Sequence, residues 1–163
     1  KNVPSIIGLG RECELAKKYM SEEQILVKQL RDKVEDEILE KAPDVRVNGH
    51  KTKRLPNTTN LSFEFVEGEA ILLLLNERGI CASSGSACTS GSLEPSHVLR
   101  AMGVPFTAVH GSVRLSLSRY NTIEEVDYIV EHLPPIIRRL REISPYGRET
   151  KVKGQVDKVS ARV

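Results

Sequence analysis

A small α/β sandwich, its mainly antiparallel sheet covered by helices on one face and preceded by a long helical segment, is the fold this 163-residue sequence predicts. Two observations point there. Leu61, Phe63 and Phe65, and again Val113, Leu115 and Leu117, alternate with polar residues, as strands do when one face lies in the core. Around these runs apolar residues recur at helical spacing, and Glu69 to Arg78 holds four consecutive leucines, too hydrophobic for a solvent-exposed helix.

In chain order, Ile6, Leu9, Cys13 and Ala16 mark a first helix over about Ser5 to Met20, and Ile25, Leu26, Leu30, Val34, Ile38 and Leu39 mark a second. Ser21 and Gln24 form a capping box between them. Pro43 stops the second helix, and Val45 and Val47 alternate into the turn Asn48-Gly49 as a short strand. Pro56-Asn57 opens the strand that carries Leu61, Phe63 and Phe65. The leucine-rich helix follows, with Gly79 placed to end it, and Ile80 and Cys81 start another short strand. Ala82 to Ser92 then breaks every period: five serines, two glycines and a threonine surround Cys88 with no large apolar group, which predicts a mobile loop. Pro95 stands where the first residue of a helix belongs, Gly103 marks the end of that helix and Pro105 follows it. Ser112 to Ser118 is the third clear strand. The last helix begins at Thr122, which pairs with Glu125 in a capping box, and buries Ile123, Val126, Ile129, Val130 and Leu133. Pro134-Pro135 should kink or interrupt it before Ile136, Ile137 and Leu140 resume the pattern. No internal repeat is present.

Composition narrows the function classes. With 39% hydrophobic and 28% charged residues and a net charge of +2, the chain is ordinary for a globular domain and has no basic stripe to track phosphates, so nucleic acid is not an expected partner. The longest apolar run, Ala70 to Leu75, falls well short of the roughly 20 residues of a membrane span, and no signal pattern opens the sequence; a cytoplasmic protein away from membranes is expected. Three cysteines, an odd number, argue for reduced thiols over a disulfide framework. Their spacing gives no C-x-x-C clip, so structural zinc is not expected. Cys13, on an amphipathic helix, reads as a small buried hydrophobe. His50, His97, His110 and His132 are dispersed without an acidic partner and read as structural.

Two residues carry chemical interest. Cys88 lies in Ser83-Ser84-Gly85-Ser86-Ala87-Cys88-Thr89-Ser90-Gly91, a context of exposure, whereas a structural cysteine sits among apolar neighbours. A free thiol of pKa about 8.5 is a few per cent thiolate near neutrality, and a helix start near Pro95 would raise that fraction, although Glu94 offsets it. The residues alone leave open whether Cys88 is reactive or merely happens to lie in a polar loop. Arg114 sits on the polar face of its strand between the small Ser112 and Ser116, which leave room for an anion held bidentately. A solvated arginine, or one paired with a local acid, is the competing reading.

The run Ser83 to Leu99, Ser-Ser-Gly-Ser-Ala-Cys-Thr-Ser-Gly-Ser-Leu-Glu-Pro-Ser-His-Val-Leu, closely resembles the active-site loop of NifS/IscS-type cysteine desulfurases. The resemblance extends through Arg54-Leu-Pro-Asn-Thr-Thr-Asn-Leu-Ser-Phe-Glu, Glu67-Gly-Glu-Ala-Ile-Leu-Leu-Leu-Leu and Gly111-Ser-Val-Arg-Leu-Ser-Leu-Ser-Arg-Tyr-Asn-Thr, and covers essentially residues 2 to 147. It implies the small C-terminal domain of a fold-type I transferase dependent on pyridoxal 5′-phosphate (PLP). In that family a thiolate attacks the sulfur of L-cysteine, giving alanine and an enzyme persulfide. Carried over by position, Cys88 is the nucleophile and persulfide bearer, and Arg114 anchors the substrate carboxylate. The same resemblance implies a homodimer that passes sulfur to an iron-sulfur scaffold protein, with Cys88 a candidate transient ligand of the cluster there. The segment Val104 to Val113 is similar to the nitrogen-fixation type.

The family's PLP lysine follows a Ser-x-His motif in a large domain that has no counterpart here. His50-Lys51 resembles part of that motif but falls where the family has a variable turn, so Lys51 is rejected as the cofactor lysine. The expectation is a C-terminal part with residues 1–42 as a helical segment linking to the large domain, residues 43–147 as the small α/β domain with the cysteine loop 82–92, and residues 148–163 as a charged, disordered tail. By itself such a chain should lack PLP chemistry. A non-enzymatic module that carries a persulfide on Cys88 or engages a scaffold is the alternative; Arg114, useless to a simple carrier, speaks against it.

Overall fold

The computed structural model describes residues 1–84 and 95–145. Val27, Leu30, Val34 and Ile38 recur at steps of three and four, and they seat the second half of helix α1 (Val3–Lys41) in the main core. Asn2 caps its start by accepting the Ser5 N–H, and Pro4 occupies the first turn, where a missing donor costs nothing. At 39 residues, α1 is about 58 Å long. Ser21 and Gln24 therefore lie inside one uninterrupted helix, and the two separate helices expected from the capping box are corrected to one. Local capping chemistry lost here to a run of good helix formers on both sides. The first half of α1 extends past the core: Val3, Ile6, Ile7 and Leu9 are exposed, as is Cys13. The reading of Cys13 as buried is thereby overturned, because nothing among the described residues stands beside that stretch of helix.

The sheet runs β1 (Val45–Val47), β2 (Thr58–Phe63), β4 (Ser112–Ser116), β3 (Ser83–Ser84), with every neighbouring pair antiparallel. Between the strands lie α2 (Gly68–Asn76), α3 (His97–Ala101) and α4 (Phe106–Val109), and α5 (Ile123–Ile143) closes the described chain. Residues directly opposite in an antiparallel pair share a face. The register thus puts Val45, Val47, Thr59, Leu61, Phe63, Val113 and Leu115 on one side, and Leu61, Phe63 and Val113 are fully buried there against α1, α2 and α5. Full burial of side chains this size is worth roughly 1.5–3 kcal/mol each. The four leucines of α2 follow helical geometry, so Leu75 is buried and Leu73 points to solvent.

Two tight approaches fix how the strands enter and leave this core. A methyl group on Gly111 would stand 2.1 Å from the Phe63 carbonyl oxygen, and one on Gly68 would stand 2.9 Å from the oxygens of His110 and Ser112. The chain before β4 lies directly on the end of β2. There Phe65 leaves the strand with φ +63°, its N–H bonded to the Thr107 carbonyl, so the alternation that included Phe65 ends at Phe63. Beside that end of β2, at the start of β1, Asp44 also takes a positive φ, and Arg141 from α5 donates to the carbonyls of Pro43, Asp44 and Glu64. Burial pulls the Arg141 guanidinium below its ordinary pKa against the opposing attraction of Asp44 and Glu64.

Several boundaries differ from expectation for identifiable reasons. The short strand expected at Ile80 and Cys81 forms at Ser83–Ser84, because Ile80 turns into the core and its N–H closes the end of α2 on Leu75. Pro95 precedes the Ser96 cap of α3 instead of opening the helix, and Pro105 starts the extra helix α4. The Thr122–Glu125 capping box forms as expected. Pro134 and Pro135 do not interrupt α5: Val126, Val130 and Leu133 before them and Ile136, Ile137 and Leu140 after them enter the same core, and that packing carries the helix across the missing donors.

Candidate active site

The second face of the sheet is polar. Arg46, Asn60, Ser62, Ser112, Arg114, Ser116 and Ser83 share it by register. Arg114 and Ser116 are exposed, so the guanidinium stands on an open surface, with the small side chains of Ser112 and Ser116 two residues to either side. Among the described residues no ion pair engages Arg114.

Cys88 lies outside the described residues, as do most of the loop 82–92 and the tail 148–163. What the structure does place is the strand that leads to it. Ser83 pairs with Arg114 and Ser84 with Val113, so β3 runs beside the Arg114 strand, and Ser84 stands four residues before Cys88 in the chain. Four residues reach at most about 14 Å, which bounds the distance from the end of β3 to the thiol-bearing residue.

Two members of this face escaped the sequence reading. Asn48 is buried, and its Nδ2 donates to Asn60 Oδ1 at 2.6 Å and to Ser62 Oγ at 2.7 Å, while its own Oδ1 has no partner. Asn60 stands directly opposite Arg114. Both lie in the polar phase of their strands, a signal visible in sequence, but only the cross-strand register reveals that they adjoin Arg114.

Three of the histidines have local contacts. His50 Nδ1 takes the N–H groups of Thr52 and Lys53 and closes the β1–β2 connection; His110 packs edge-on to Phe106 and His132 to Tyr128. Lys51 is exposed in that same connection. The described residues do not by themselves fit PLP, since the face offers the guanidiniums of Arg46 and Arg114, amides and hydroxyls but no lysine amine to hold the cofactor. No cluster among them could bind a metal ion, and no helix among them is long and apolar enough to cross a membrane.

Residues 1–129 match the aminotransferase class-V family. The chain belongs to that family. Within this class-V group it is 57% identical over 149 residues to a cysteine desulfurase of Trichormus azollae, a match spanning 91% of this chain and 37% of that protein. To the cysteine desulfurase NifS of Azotobacter vinelandii it is 59% identical over 146 residues, 90% of this chain and 36% of that one. Among solved structures, a NifS-like protein superposes with a TM-score of 0.74 at 33% identity, over 86% of this chain and 35% of that one. A NifS-like protein from Rickettsia africae gives 0.73 at 33% identity, over 83% and 35%. The class-V chain described here thus spans little more than a third of the length of the relatives it matches, and its α/β architecture is that of NifS-like proteins.

Proposed function

We propose that this chain is the part of a cysteine desulfurase that binds the substrate carboxylate and accepts its sulfur. The observation that carries the reading is the position of Arg114, open on the polar face and flanked by the strand that leads within four residues to Cys88. Arg114 takes the α-carboxylate of L-cysteine through paired N–H donors. Cys88, as thiolate, takes the substrate sulfur. The carbon–sulfur bond breaks, a sulfur–sulfur bond forms on Cys88, and a proton replaces sulfur on the carbon, so that cysteine and a thiol become alanine and a persulfide without an outside oxidant. PLP in the complete enzyme is held by sequence beyond the residues described here, and the chain alone is then inactive. A homodimer, a cytoplasmic location, a role in nitrogen fixation, transfer of the persulfide to an iron-sulfur scaffold and a passing Cys88–cluster contact belong to the same proposal.

The test is a graft in which this chain replaces the matching 146 residues of the Azotobacter vinelandii enzyme. Given L-cysteine and a thiol reductant, the graft is expected to form alanine and sulfide in equal amounts, and Cys88→Ser is expected to remove both by more than about a hundredfold. A graft that folds and retains cofactor absorbance yet forms no alanine would overturn the reading.

A further inference from the structure

Four polar residues from four chain segments stand in one row across the open face. Val47 pairs with Leu61, which brings Asn48 opposite Asn60; Asn60 pairs with Arg114, and Arg114 with Ser83. The Asn48 N–H donates to the Asn60 carbonyl at 2.8 Å, so the backbone groups of Asn60 point toward β1. Toward β4, Asn60 and Arg114 therefore form the narrow, non-hydrogen-bonded kind of antiparallel pair, in which facing side chains are closest.

The orientation of the Asn60 amide is set from the other side. Its Oδ1 is taken by Asn48 Nδ2 at 2.6 Å, and its Nδ2 is directed toward β4, where it meets the Val113 carbonyl only at 3.4 Å. If the Asn60 oxygen faced Arg114, it would accept from the guanidinium and compete with any carboxylate. Asn48 occupies that acceptor and leaves the donor end on the β4 side, where Arg114 is the cross-strand partner. Holding Asn48 in place requires burying it to 7% exposure with an unpartnered oxygen, an arrangement that stability alone does not favour.

We propose that Asn60 is a second donor to the carboxylate held by Arg114, and that Asn48 is the positioning residue that turns the Asn60 amide to that task. The proposal rests on the desulfurase reading above, and the graft separates the two. Asn60→Asp keeps the shape and the bond from Asn48 but puts an acceptor beside Arg114. Its KM for L-cysteine is expected to rise about a hundredfold, and that of Asn60→Ala about tenfold, with kcat changed less than twofold, in line with loss of a charge-assisted hydrogen bond. Asn60→Ser, which keeps a small donor, should recover part of the Ala loss, and Asn48→Asp should raise KM several-fold without altering kcat. A purely structural role would instead lower the melting temperature and the active fraction while KM stayed constant. Wild-type KM in a folded Asn60→Asp graft, or in Asn60→Ala if the Asp variant fails to fold, overturns the assignment of Asn60 while the desulfurase reading stands. An unsubstituted graft without turnover sinks both.

Discussion

The two faces of the sheet are built from alternate residues of the same strands, yet they are opposites. On one side Leu61, Phe63 and Val113 are sealed beneath α1, α2 and α5; on the other, Arg114 and Ser116 lie open and a buried Asn48 donates to Asn60 and Ser62. Adjacent residues thus answer to different physics. One side contributes folding energy through area removed from water, and the other carries hydrogen-bonding groups, which the proposed function assigns to substrate. Substitutions one residue apart in the chain should therefore separate stability from binding.

The strongest way to break the apolar side is Phe63→Ala. Phe63 is fully buried at the centre of the cluster, and the rigid approach of Gly111 to its carbonyl prevents the chain from closing the cavity. Truncation should cost about 4 kcal/mol, read as a fall in the denaturant midpoint with an unchanged slope. In the fraction that stays folded, the KM of the graft should not move. A parallel rise in KM would show that the two faces are mechanically coupled.

The polar side is sharpened by Arg114→Lys. The side chain is exposed, so its replacement should leave the melting temperature within about 1–2 °C of the parent. Lysine keeps the charge but not the paired, planar donors, and the expected result is a roughly tenfold rise in KM for L-cysteine, about 1.4 kcal/mol, with kcat nearly constant. An unchanged KM would mean that Arg114 is the solvated strand arginine that the sequence alone could not exclude.

The legibility of these two faces from sequence was uneven. Alternation assigned the residues of β2 and β4 to their two faces because a period of two leaves each residue only one face to join, but it did not foresee that Ser62 and Ser112 on the polar face are buried as well. It also found Arg114, since a long cation between serines stands out in any strand. Asn48 and Asn60 did not stand out, because their importance lies in a register joining residues 12 apart on one side and 54 apart on the other. Continuity across Ser21 in α1 and across Pro134-Pro135 in α5 was missed for a related reason. In each case a local signal for a break was outweighed, by helix propensity in the first and by shared core packing in the second. Cys88 was legible only through its surroundings and through the resemblance of the whole loop, since a thiol in a serine-rich stretch has no periodicity to place it.

The smallest expected effect tests the one flaw in the sealed face. Thr59 pairs with Leu115 and is fully buried on the apolar side, and its Oγ1 has no hydrogen-bond partner. Valine has nearly the same shape. Thr59→Val therefore removes an unsatisfied hydroxyl without opening a cavity, and the expected result is a gain of about 1 kcal/mol, seen as a higher urea midpoint. Because Thr59 faces away from Arg114, KM should stay where it was. If the substitution destabilises the protein instead, the hydroxyl has a partner outside the described residues, and the apolar face is not the continuous seal that Leu61, Phe63 and Val113 form around it.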